Sequence, residues 1–128
     1  ELAKRDSRIL VFTHPFFPND DFQIYLNACD VVTLPFAEVL TSGTAITALG
    51  FGKPLILPAL GCLPELINED AGILFDAQDP EGLGTAMTEI QRWNLEKAGA
   101  AALGCARVLD WRGIAKKIAC LYRSQPEL

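Results

Sequence analysis

Val31-Val32-Thr33-Leu34-Pro35-Phe36-Ala37-Glu38-Val39-Leu40-Thr41-Ser42-Gly43-Thr44-Ala45-Ile46-Thr47-Ala48-Leu49-Gly50-Phe51-Gly52-Lys53-Pro54-Leu55-Ile56-Leu57 holds a complete strand–loop–helix–strand unit. Val31–Leu34 is a short β-branched apolar run closed by Pro35, the pattern of a buried strand. Thr44–Phe51 has no breaker until Gly52 and Pro54, which stop a helix. Leu55–Leu57 is apolar throughout, as in a strand covered on both faces. Thr41-Ser42-Gly43-Thr44 joins the first strand to the helix.

The same alternation continues on both sides. Ile9-Leu10-Val11-Phe12 reads as a strand ahead of His14-Pro15, and residues 21–28 as a helix with Asp20 or Asp21 as its N-cap. Residues 63–67 form a short helix in this reading, and residues 71–75 a fourth strand. Asp79-Pro80 starts a helix with Leu83, Met87, Ile90 and Trp93 on one face. Residues 94–108 form the next helix, and Asp110 caps a last one with Trp111, Ile114, Ile118 and Tyr122 in a row. Strands alternating with helices predict an α/β fold: a Rossmann-like parallel sheet of about four strands, wound on both faces and followed by C-terminal helices over 94–128. In such sheets ligands sit beyond the carboxyl ends of the strands.

The chain has 128 residues, enough for a single domain over 1–128. Eleven Lys and Arg stand against 16 Asp and Glu, and no basic stripe is interleaved with aromatics, so a nucleic-acid partner is not expected. Four cysteines (Cys29, Cys62, Cys105, Cys120) without a C-x-x-C pair, together with one histidine, predict no zinc site. They read instead as small buried apolar side chains in a reducing cytoplasm.

On spacing alone, Ser42 ahead of a helix is a plain N-cap. Its placement also suits an anion. Thr41, Ser42 and Thr44 carry hydroxyls, Gly43 lets the backbone approach a ligand, and the first-turn amides point to the same place. His14, at the end of the first predicted strand, reads either as a ligand contact or as a loop residue before a proline. Phe16 and Phe17 read as core packing or as a nucleobase wall, and Lys53 as a solvated lysine at the amino end of a strand.

The order of the motifs carries a resemblance. After the Thr-Ser-Gly-Thr loop come Ala48-Leu49-Gly50-Phe51-Gly52-Lys53-Pro54, Gly61-Cys62-Leu63-Pro64-Glu65, Ala71-Gly72-Ile73-Leu74 and the Asp79–Ala86 segment, with Ala28-Cys29-Asp30-Val31 before it and Trp111 opening the last helix. This succession resembles the GT-B glycosyltransferases of the family 4 (group 1) type over nearly the whole chain. The resemblance implies the donor-binding half of a hexosyltransferase-type enzyme. Such an enzyme transfers sugar from a UDP-sugar or GDP-sugar to a hydroxyl acceptor, with retention and with no cofactor or metal. It implies donor contacts from Leu40, Thr41, Ser42, Gly43, Thr44, Thr47, His14 and Glu65, with Glu38 as a catalytic candidate; Glu65 reads equally as the cap of its own short helix.

There are departures. The glutamate pair usual in that family falls on Val39 and Thr47, one residue from Glu38, and the basic segment of its opening strands has no counterpart. The resemblance therefore implies a fragment that begins late and is inactive alone. The missing half would hold the acceptor, make any peripheral contact with a membrane and contribute to polysaccharide biosynthesis. A sheet edge left open by the missing strands would favour self-association. Two alternatives stand beside this reading: a sugar-nucleotide epimerase of the same architecture, and a non-catalytic nucleotide-sugar-binding module.

Overall fold

The computed structural model describes residues 5–13 and 18–123. Its elements, in order, are α1 (Asn19–Ala28), β1 (Val32–Thr33), α2 (Gly43–Gly50), β2 (Leu55–Pro58), a 3-10 turn (Leu63–Glu65), β3 (Gly72–Phe75), α3 (Gly82–Ile90), α4 (Leu95–Val108) and α5 (Trp111–Arg123). The three strands form one sheet in the order β1-β2-β3, and both pairings are parallel. Register runs Val32 to Leu55 and Thr33 to Ile56 on one side of β2, and Leu55 to Gly72 through Pro58 to Phe75 on the other.

β2 is central and buried along its whole length, as its uninterrupted apolar sequence requires. Its side chains alternate between two cores. Leu55 and Leu57 join Leu26, Ala45, Leu49 and Ala102 on the face covered by α1, α2 and α4. Ile56 joins Ala86 and Ile90 on the face covered by α3. Each buried leucine or isoleucine contributes roughly 1.5–3 kcal/mol relative to exposure. α4 reaches α2 closely because Gly99 and Gly52 face each other without side chains: a Cβ on Gly99 would lie 2.7 Å from the Gly52 carbonyl oxygen. Gly52 also has φ +67°, which lets the chain leave α2 and turn into β2.

The structure departs from the sequence reading in places, each for a physical reason. Residues 9–12 are not a fourth strand. Ile9, Leu10, Val11 and Phe12 lie exposed outside any strand; the Ile9 amide donates to Asp6 O at 3.1 Å, and the Phe12 ring meets Tyr25 edge-on at 6.0 Å. Apolar, β-branched composition makes a strand only where a neighbouring strand takes up its hydrogen bonds. α1 begins after Pro18 with no side-chain cap, so neither Asp20 nor Asp21 is the N-cap; both sit in the first turn, where acidic charge suits the helix dipole. The 63–67 helix is only a 3-10 turn.

Asp79 caps a turn and not α3: its carboxylate accepts from the Glu81 amide at 3.0 Å, and the helix starts at Gly82. The buried row of α3 includes Ala86 in place of Met87, which is half exposed. Cys29, Cys62 and Cys105 are partly buried, but Cys120 is exposed and not a core residue. The row predicted on the last helix is likewise not covered, for no residue of α5 is buried. Lys53 is not simply solvated. It is half-buried, and its Nζ donates to the carbonyl oxygen of Cys29, the C-cap of α1, at 2.9 Å.

Candidate functional site

The carboxyl edge of the sheet is built by the loops that follow β1 and β2. The first, residues 34–42, is pinned at both ends. The Phe36 amide donates to Leu34 O at 2.9 Å, and Leu40 O accepts from the Cys62 amide at 2.8 Å. The second pin depends on Gly61, which has φ +52° and whose Cβ position would lie 2.6 Å from Leu40 O and would also strike Val39 O. The loop after β2 thus holds the loop after β1 by backbone contact that any side chain would break.

Ser42 then opens α2. Its Oγ accepts from the Ala45 amide at 3.2 Å, its carbonyl accepts from Ile46 at 3.2 Å, and its side chain is buried. Ser42 is therefore an N-cap, and its hydroxyl is engaged within the chain. The amides of Gly43 and Thr44, in the same first turn, have no acceptor among the described residues. Among the described residues, a Cβ on Gly43 would meet nothing within 4 Å, so the turn has open space at its side. Thr41 is exposed and Leu40 strongly so. Thr47, one turn further on, spends its hydroxyl proton on Gly43 O at 2.9 Å.

A cleft of about 580 Å³ runs beside this helix end, lined by Gly43, Thr44, Thr47 and Phe51 of α2 and its C-cap and by Asp20, Phe22 and Gln23 of α1. Phe22 and Thr44 are shared with a second, apolar cleft of about 480 Å³ against β1, walled by Phe12, Tyr25, Val31 and Val32 among others. Polar groups able to bond hydroxyls thus stand next to an apolar wall beside an N-terminal helix turn.

Of the residues the sequence groups here, Gly43, Thr44 and Thr47 line the cleft, while Leu40, Thr41 and the N-cap Ser42 precede them in the chain and are not among its lining. Glu38 lies exposed in the same loop. Glu65 is exposed on the 3-10 turn tied to that loop through Cys62. His14, Phe16 and Phe17 lie outside the described residues. Asp20 and Gln23 are lining residues that sequence reading passed over, because an acidic first turn and a polar helix face look the same in any solvated helix. Gly61 was legible only as a motif letter; its close approach to Leu40 is a contact across the sheet edge.

Elsewhere, a cleft of about 380 Å³ lined by Glu69, Asp70, Trp93, Asn94 and Lys97 lies at the opposite edge, by the turn that enters β3. Asp6 and Arg8 form a bidentate surface pair in which the guanidinium lowers the Asp6 carboxyl and is itself raised. Among the described residues no cluster of three or more His, Cys, Asp or Glu forms a metal site.

Comparison with known proteins decides the family. Residues 1–92 match the family model described as "Glycosyl transferases group 1". The chain belongs to the group 1 glycosyl transferases. It is 30% identical over 125 residues to the D-inositol 3-phosphate glycosyltransferase of Corynebacterium urealyticum, an alignment covering 95% of this chain and 29% of that protein. Among solved structures it is similar to sucrose-phosphate synthase from Thermosynechococcus elongatus, with TM-score 0.64 and 28% identity over 78% of this chain and 26% of that one. The chain thus spans less than a third of the length of these relatives. The three-stranded parallel sheet with C-terminal helices is a GT-B-type α/β arrangement.

Proposed function

We propose that the first turn of α2 and the loop before it bind the diphosphate of a nucleoside diphosphate sugar, UDP- or GDP-linked. The polypeptide containing this chain would transfer the glycosyl group to a hydroxyl acceptor with retention. The observation that carries the reading is that Gly43 and Thr44, whose amides have no acceptor among the described residues, line a cleft at the carboxyl edge of a parallel sheet, in a group 1 glycosyl transferase chain.

Amides fixed in a helix turn need no reorganisation as negative charge grows on the leaving diphosphate, which is how they lower a barrier. Thr44, on the cleft wall, and Thr41, exposed in the preceding loop, would add hydroxyl donors. Ser42 contributes through the helix it caps and not through its engaged hydroxyl. Phe22 and the apolar cleft beside it suit the less polar part of the nucleotide, and Asp20, Gln23 and Thr47 suit hydroxyls. Family membership favours transfer over the epimerase reading.

Titration of UDP and GDP followed by amide NMR tests the site. Ser42, Gly43 and Thr44 should shift first, with Gln23 and Phe22 following. Shifts confined to the amino edge, around Lys53 or Asp70, would overturn it.

A further inference from the structure

The cleft beside α2 holds a single carboxylate. Gly43, Thr44 and Thr47 form its α2 wall, and of the described residues that line it only Asp20, on the α1 wall, is acidic. Asp20 stands in the first turn of α1 together with Asp21, which is not among the lining residues, because successive residues of a helix point about 100° apart. The Asp20 carboxylate has no ion pair or hydrogen-bond partner among the described residues. Gln23 lies on the same wall, and its Nε2 donates to the Asp20 carbonyl at 3.0 Å, which sets the two residues side by side.

A nucleoside diphosphate carries its charge at one end and a flat base at the other, and the ribose between them presents a vicinal pair of hydroxyls. With the diphosphate on the first-turn amides of α2 and the base against the ring of Phe22 or Phe51, the ribose falls between the two walls of the cleft. Its hydroxyls need acceptors. Thr47 spends its own proton on Gly43 O at 2.9 Å and is left as a neutral acceptor. A carboxylate takes two hydroxyl protons at once, and its charge-assisted bonds are about twice as strong as neutral ones. The first turn of a helix is also where an anion is favoured by the dipole, which offsets part of the repulsion from a diphosphate.

We propose that Asp20 reads the ribose. Its carboxylate accepts from the 2′- and 3′-hydroxyls of the bound nucleotide and so selects ribonucleotides over their deoxy forms. The inference rests on the donor-diphosphate reading given above and adds to it a specificity-determining residue on a different helix.

The test is titration of the 128-residue chain with UDP and with 2′,3′-dideoxyuridine diphosphate. The Gly43 and Thr44 amide shifts report occupancy of the α2 turn and give both dissociation constants. UDP is expected to bind about tenfold more tightly than the dideoxy compound. Asp20→Ala should weaken UDP by that same factor and leave the dideoxy compound unchanged, so that the preference vanishes. Asp20→Asn, which keeps one acceptor oxygen without the charge, should retain part of it. Asp21→Ala removes the same charge from the same turn and should retain the whole preference, which separates a bond to the ribose from net charge or helix stability. Equal wild-type affinity for the two ligands would overturn the proposal, as would a preference that survives Asp20→Ala. So would tighter binding of both ligands by Asp20→Ala, which would show a carboxylate that only repels the diphosphate. Each of these leaves the diphosphate site standing as long as Gly43 and Thr44 shift. No shift at those amides with either ligand would remove that reading, and the role of Asp20 with it.

Discussion

Two glycines at the candidate site do opposite work. Gly61 is required by the fold, because its positive φ and its contact with Leu40 O leave no room for a Cβ. Gly61→Ala is expected to cost about 1–3 kcal/mol from the left-handed backbone alone, seen as a lower melting temperature. Gly43 is not required by the fold, since a Cβ there meets open space. Gly43→Val should therefore melt near wild type yet lose nucleotide affinity by about tenfold or more, as the branched side chain fills the approach to the amides. Calorimetric titration with UDP and GDP, set beside thermal melts of the two variants, checks both halves. Retained affinity in Gly43→Val would remove backbone approach from the mechanism.

At the level of elements, α2 is the unit on which the site depends. It is a short helix, held at its start by Ser42, at its flank by Ala45, Ala48 and Leu49 in the core, and at its end by the Gly52–Gly99 approach to α4. Eight residues are too few to be helical alone, so the first-turn amides are oriented by packing. Ser42→Ala removes the acceptor of the Ala45 amide at a buried position. The expected cost is about 1 kcal/mol, or a few degrees in melting temperature. Amide exchange should quicken first at residues 43–45, and nucleotide affinity should fall with the loss of order. Unchanged exchange in α2 would show that packing alone fixes the first turn.

At the scale of the whole molecule, the sheet ends at β1 with no further strand among the described residues. β2 bonds one side of this two-residue strand, while the other borders the apolar cleft of about 480 Å³, with Leu10, Val11 and Phe12 exposed nearby. Open edges flanked by apolar side chains pair with whatever strand they meet. The 128-residue chain is therefore expected to dimerise or aggregate in light scattering. A monomer at high concentration with a cooperative melt would contradict this.

How much of this was legible in the sequence follows from where each determinant lies. Local determinants were readable. The apolar run of β2 dictated a central strand, and Gly52 and Pro54 dictated the end of α2. Ser42 and Asn94 marked helix starts that the structure confirms by their bonds to Ala45 and Lys97. The strand–loop–helix order alone put the candidate site at the carboxyl edge. Determinants that join distant residues were not readable. Lys53 reads as solvated until the fold brings it to the Cys29 carbonyl 24 residues away, and Gly61 reads as a loop residue until it meets Leu40. Residues 9–12 have strand composition but do not form one, because a strand is a pairing between segments. The stripe on α5 has core periodicity but stays exposed, because periodicity sets which side of a helix is apolar and only tertiary contact decides what covers it.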